Sequence, residues 1–238
     1  AEIAGYLGGA FVVIAVTIVT ARQWVAFTEL QRGILFGALA IALFALGTFV
    51  GTSTAVKSRL AGLLFGLAAG STTGTLAILD SNRDTPTIAF LAGTAIALTG
   101  YYMVQTFVGH VILFGYIFIT GIMALSDLTP DGSGMAIYIG TYFLLLGGAW
   151  TFFTYRKYLD GILGYLFGGG TLFIATQVLF IDAQHWLSYL SMIAVAGGTA
   201  WLYLRVHAWP LVLTAVLTTT VGVGEFVAET LGGSLGAA

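Results

Sequence analysis

The chain has 238 residues, of which 58% are hydrophobic and a further 33 are glycine, while only 8 Lys+Arg and 10 Asp+Glu are charged. A soluble domain of this size carries about 25% charged residues, and the mean hydropathy of +0.99 points the same way, so the composition describes a polytopic integral membrane protein. The formal net charge of −2 excludes the basic surface that nucleic acid requires, and the lack of cysteine excludes disulfides, thiol nucleophiles and cysteine metal sites.

A transmembrane helix needs about 20 apolar residues. Segments of that kind fall at 3–20, 33–50, 60–79, 87–106, 109–126, 135–154, 161–181, 186–204 and 210–228. The fold class is therefore all-α, a transmembrane helix bundle of about nine spans, with eight or ten as alternatives. Residues 1–238 read as a single integral membrane domain.

The first segment follows Ala1-Glu2 without a basic leader and reads as a span rather than a signal peptide. The stretch 87–126 is too long for one crossing, and Gln105, Thr106, Gly109 and His110 lie at its middle, where a tight turn is expected. Asp84-Thr85-Pro86 and Trp209-Pro210 resemble helix starts, and Thr129-Pro130-Asp131-Gly132 a β-turn.

With the amino terminus inside, the inner loops hold Lys57, Arg59, Arg156, Lys157 and Arg205, and the outer loops Arg22, Arg32 and Arg83. This is a modest positive-inside bias. Trp24, Trp150, Trp186 and Trp209 fall near the expected interfaces, as in an aromatic belt. The plasma membrane is the expected location and the lipid bilayer the expected surroundings, with a homo-oligomer or a larger membrane complex as the expected assembly.

The strongest local pattern is Gly62, Gly66, Gly70 and Gly74, four apart on one helix face. Bare backbone there admits a neighbouring helix closely, which predicts a buried central third helix. The same groove could instead line a pore, with Thr72 and Thr73 nearby. Polar residues within the membrane are costly, which makes Gln105, His110 and Gln177, with Tyr102 and Tyr116 beside the first two, the remaining pore or solute candidates. Each could equally serve an interhelical hydrogen bond. Glu225 and Glu229 share one face at the end of the last segment, as a proton relay or as a solvated helix end.

Catalysis is not expected. Lys57 and Lys157 lie outside the spans, which argues against a retinal Schiff base. Only His110, His185 and His207 could serve haem, and metalloprotease and phosphate-loop motifs are absent. Neither a metal nor a cofactor is expected.

Residues 60–206 resemble the six-helix unit of the acetate uptake transporters and the related amide/urea channels. The similarity rests on Gly140-Thr141-Tyr142, Gly147, Thr151-Phe152-Phe153 and Arg156-Lys157, then on Thr171-Leu172-Phe173, Ala196-Gly197 and Ala200-Trp201-Leu202-Tyr203. Phe114-Gly115-Tyr116 followed by Asp131-Gly132 and Gly134 is similar to a pairing in the amide channels. Where the transporters carry an Asn-Pro-Ala-Pro-Leu-Gly-Leu signature, this chain reads Lys57-Ser58-Arg59-Leu60-Ala61-Gly62-Leu63. The resemblance implies a six-helix core over 59–206, additional spans in 1–58 and 207–238, and an oligomeric ring of pores for a small solute such as acetate or urea. The expected function is thus a channel or secondary transporter; the alternative is a non-catalytic structural or accessory subunit of a membrane complex.

Overall fold

The computed structural model describes residues 26–50, 53–79, 87–129, 134–181 and 185–235. The first expected span and the Asp84-Thr85-Pro86 start lie outside the described residues, as does most of the turn at Thr129–Gly132. The described residues form eight helices: α1 (Glu29–Val50), α2 (Ala55–Leu79), α3 (Thr87–Met103), α4 (Phe107–Leu128), α5 (Met135–Tyr155), α6 (Gly161–Ile181), α7 (His185–Val206) and α8 (Trp209–Leu235). Seven are long and apolar enough to cross a membrane; α3, with 17 residues, is shorter.

Local chemistry sets the helix starts. Thr28 and Gln31 form a reciprocal capping box: the Thr28 amide donates to Gln31 Oε1 (2.9 Å), and the Gln31 amide to Thr28 Oγ1 (3.3 Å). The hydroxyls of Thr54 and Thr106 accept from the amides of Lys57 and Gly109, and the Asp160 carboxylate accepts from the Leu163 amide. These caps begin α1 and α2 four and five residues before the apolar runs that announced them. Arg32 and Lys57 consequently lie in helical first turns, and Arg59 just beyond one, rather than in loops, since a cap and not hydropathy decides where a helix begins.

The expected break within 87–126 is present. The helix ends at Met103, and Thr106 caps the next one, so Gly109 and His110 belong to the first turn of α4 instead of the connection. At the other end of the chain Pro210 occupies the first turn of α8, where its missing N–H costs nothing. Lys157 and His207 adopt left-handed backbone (φ 64° and 57°) in the short connections after α5 and α7.

The chain divides into two compact units, one up to Val104 and one from Gln105 onward. The border falls inside the stretch 59–206. In the first unit α2 is central, packing against both α1 and α3. A Cβ on Gly33 would stand 2.7 Å from Leu79 Cδ2, and one on Gly47 3.0 Å from the Phe65 ring, so α1 and α2 run antiparallel. Phe65 is the anchor of this unit, with Ala61 and Val104 buried beside it and Phe44 edge-on at 5.1 Å.

In the second unit α6 is central, meeting α4, α5, α7 and α8. Its face reads Gly164, Gly168, Gly169, Thr171, Ala175 and Thr176, all buried. Without long side chains at these positions, four neighbours reach the α6 backbone. Between α4 and α5, the Tyr142 hydroxyl donates to the Ile117 carbonyl at 2.6 Å; between α7 and α6, the Ser188 hydroxyl donates to the Thr176 backbone carbonyl at 2.8 Å.

Candidate functional site

Hydroxyl groups in these helices mostly serve their own backbone. Thr72 and Thr73, half-buried on α2, donate to the carbonyls of Ala68 (2.9 Å) and Ala69 (3.1 Å). Tyr102, on α3, is 84% exposed. These three belong to the first unit, whereas Gln105, His110, Tyr116 and Gln177 belong to the second.

Gln105 is exposed in the α3–α4 connection. Tyr116 is half-buried on α4, and Gln177 is half-buried on α6, where its amide donates to the Thr176 hydroxyl at 3.2 Å.

His110 is 0% exposed. Trp150 Nε1–H donates to its Nε2 at 2.9 Å, which places the imidazole proton on Nδ1. The rings of Trp150 and Phe167 lie 5.5 and 5.6 Å away by centroid, and Phe114 stacks on Phe167 at 4.6 Å with an interplanar angle of 9°. The histidine thus ties α4, α5 and α6 together. Trp150, expected at an interface, is 5% exposed and serves this interior contact. Trp186 and Trp209 are exposed at the starts of α7 and α8; Trp24 lies outside the described residues.

The four-glycine stripe of α2 is not uniformly covered. Gly62 is buried, Gly66 half-buried and Gly70 exposed, and a Cβ on Gly74 would stand 3.2 Å from the Phe36 ring. The buried face of α2 runs instead through Ala61, Gly62, Phe65, Ala68 and Ala69. A helix that is apolar on every side carries no mark of which stripe its neighbours choose.

Two grooves in the second unit have the properties of ligand sites. The smaller, about 260 Å³, lies between α5, α6 and α7. Its polar groups are Thr151, Ser191 and Thr199, and it has no charged lining residue. The space exists because Gly148 and Gly198 face it without side chains: a Cβ on either would meet nothing within 4 Å. Ser191 and Thr199 donate to the carbonyls of Ser188 and Val195 (2.7 Å each), which leaves their oxygens able to accept. Thr151 Oγ1 is buried without a hydrogen-bond partner.

The larger groove, about 600 Å³, lies between α7 and α8 and is almost wholly apolar. At one end the Tyr189 hydroxyl donates to Glu229 Oε2 at 2.7 Å. Both grooves lie outside the expected set of pore residues. The available sequence signal was the Gly-Gly pairs at 147–148 and 197–198: Gly147 packs while Gly148 leaves a void, and Gly197 and Gly198 both face open space.

Among the described residues, no group of three or more His, Asp or Glu is placed to hold a metal ion. No family model matches the chain, and no curated protein or solved structure matches it either.

Proposed function

We propose that this integral membrane protein is a channel or secondary transporter for a small uncharged solute, which occupies the groove between α5, α6 and α7. The observation that carries the reading is the combination of Gly148 and Gly198, which leave the space open, with the three hydroxyl-bearing side chains Thr151, Ser191 and Thr199 along it. A solute that donates hydrogen bonds, of the urea type, is matched by the oxygens of Ser191 and Thr199, whose own protons go to the Ser188 and Val195 carbonyls. A carboxylate such as acetate finds no cation. Within the resemblance to acetate transporters and amide/urea channels, the groove chemistry therefore favours the neutral solute. The reading includes a plasma-membrane setting, an amino terminus inside and a homo-oligomeric assembly.

Flux of urea, acetate and simple ions into liposomes containing the purified protein tests it. Urea uptake is expected to exceed that of acetate and ions. Gly148→Leu and Gly198→Leu are expected to abolish it at an unchanged Tm, because the added atoms enter open space. Uptake that survives both substitutions would reject this groove as the route.

A second reading, a non-catalytic structural or accessory subunit, draws on Gly70, which is exposed on α2 and offers bare backbone to a helix from another chain. Stoichiometric copurification of a partner, with no flux in liposomes, would favour it.

A further inference from the structure

We propose that one end of the second unit, where the α5–α6 and α7–α8 connections lie, binds the phosphate headgroups of anionic membrane lipids through Arg156, Lys157 and Arg205. None of the three lines the solute groove, and the proposal stands whether or not the protein carries a solute.

Helix packing brings these cations to one end. A Cβ on Gly164, in the first turn of α6, would fall on Thr154 near the end of α5, and one on Gly169 would fall on Thr214 in the second turn of α8. Helix α7 joins α8 through His207 and Ala208 alone. Helices α5 and α7 therefore finish, and α6 and α8 begin, at the same end. Arg156, Lys157 and Arg205 are all the lysine and arginine of residues 105–238. They are exposed, and among the described residues they form no ion pair. The one described acid beside them is Asp160, whose carboxylate caps α6 through the Leu163 amide. Glu229 lies towards the opposite end, where it accepts from Tyr189 near the start of α7.

The backbone supplies an independent mark. Helix α5 ends in a Schellman motif: the Tyr158 amide donates to the Phe153 carbonyl at 3.0 Å and the Lys157 amide to the Thr154 carbonyl at 2.9 Å. The left-handed position of that motif ordinarily holds glycine. Here it holds Lys157, at φ 64°, in a chain with 33 glycines. A cation also suits the negative end of a helix dipole, but Arg156 already supplies that charge to α5. A lysine kept where the backbone favours glycine points to a role for its ammonium group.

Neighbouring aromatic rings set the depth. The guanidinium of Arg156 lies over the Phe152 ring at 5.8 Å, and that of Arg205 over the Trp201 ring at 5.3 Å. Each arginine is thus folded back one turn along its helix, with N–H groups left for phosphate oxygens. Tyr155, Tyr158 and Trp209 are exposed at the same end. Exposed tyrosine and tryptophan belong at the headgroup level of a bilayer, which makes the phosphate of a lipid, rather than a soluble anion, the partner at hand.

The test is photolabelling of the full chain in phosphatidylcholine nanodiscs doped with phosphatidylglycerol or phosphatidylcholine probes, both carrying a diazirine near the headgroup. Peptides covering 152–160 and 201–209 are expected to take up the phosphatidylglycerol probe about tenfold more, a ratio within what three surface cations supply. Peptides from the start of α7 should show no such preference. Arg156→Gln together with Arg205→Gln should bring the ratio near unity. Lys157→Gly separates binding from folding: it relieves the left-handed backbone, so Tm should hold or rise, while phosphatidylglycerol labelling of 152–160 falls about threefold. Inorganic phosphate at matched ionic strength should leave labelling unchanged. Equal labelling by the two lipids would overturn the proposal, as would a preference that survives the arginine substitutions, a Lys157→Gly protein that labels like the parent, or displacement by inorganic phosphate, which would assign the cations to a soluble anion.

Discussion

Gly147 on α5 and Gly168 on α6 meet backbone to backbone: a Cβ on Gly147 would stand 2.7 Å from the Gly168 carbonyl oxygen, and one on Gly168 3.0 Å from that of Gly147. This is a close approach of main chains between two helices. It sits where α5 docks on the central helix of its unit. Lipid chains are as apolar as leucine, so close van der Waals contact, and not exclusion from water, holds such helices together.

Gly147→Ala and Gly168→Ala should therefore each lower stability by about 1–3 kcal/mol, since carbonyl oxygens cannot turn aside as a flexible side chain can. Gly148→Ala, one residue along and facing open space, is the control. Thermal unfolding in detergent measures all three. A Gly147→Ala protein that melts with the parent would show that α5 and α6 stand further apart.

His110 is predicted to act through packing. Removing it with His110→Ala leaves Trp150 Nε1–H without its acceptor and opens a void among the Trp150, Phe114 and Phe167 rings. The expected loss is about 2–4 kcal/mol. His110→Gln, which retains an acceptor, should recover part of it, and quenching or a shift of Trp150 fluorescence would report the contact directly. Wild-type stability in His110→Ala, accompanied by altered flux, would instead return this residue to the mouth of a pore.

The glycines of α2 and its partners should separate by location. Gly100→Ala on α3 places a Cβ 2.5 Å from Phe65 Cβ, at the anchor of the first unit, and is expected to cost about 1–3 kcal/mol. Gly62→Leu, at a buried position, should be at least as costly. Gly70→Leu, at an exposed one, should be nearly silent in the isolated protein. Melting temperatures of the three proteins check the order; a costly Gly70→Leu would mean that its face is covered by another copy or another chain.

Whether α3 crosses the bilayer is open to labelling. Its 17 residues give a helix of roughly 26 Å, near the lower limit for a hydrocarbon core of about 30 Å. Thr54 and Leu128 are exposed positions, before α2 and at the end of α4 respectively. If α2, α3 and α4 all cross, Thr54→Cys and Leu128→Cys will react with an impermeant thiol reagent from opposite sides, on a background without native cysteine. Reaction from the same side would make α3 a helix that does not cross.

The sequence by itself determined that this is a helical membrane protein, and it located the helices closely, including the break between Met103 and Phe107. That is because a backbone in lipid must satisfy its own hydrogen bonds, so an apolar run of sufficient length becomes a helix whatever surrounds it. Caps such as Thr28 with Gln31 were equally local, although hydropathy alone hid them. Which faces meet was decided only by the tertiary structure. The helices of the second unit gather on α6, Trp150 turns inward to His110, and Gly148 and Gly198 face a void while Gly147 touches another backbone. With lipid and protein interior nearly alike in polarity, burial leaves little periodic trace in the sequence; only the shapes of the assembled helices distinguish a packed glycine from one that leaves room for a ligand.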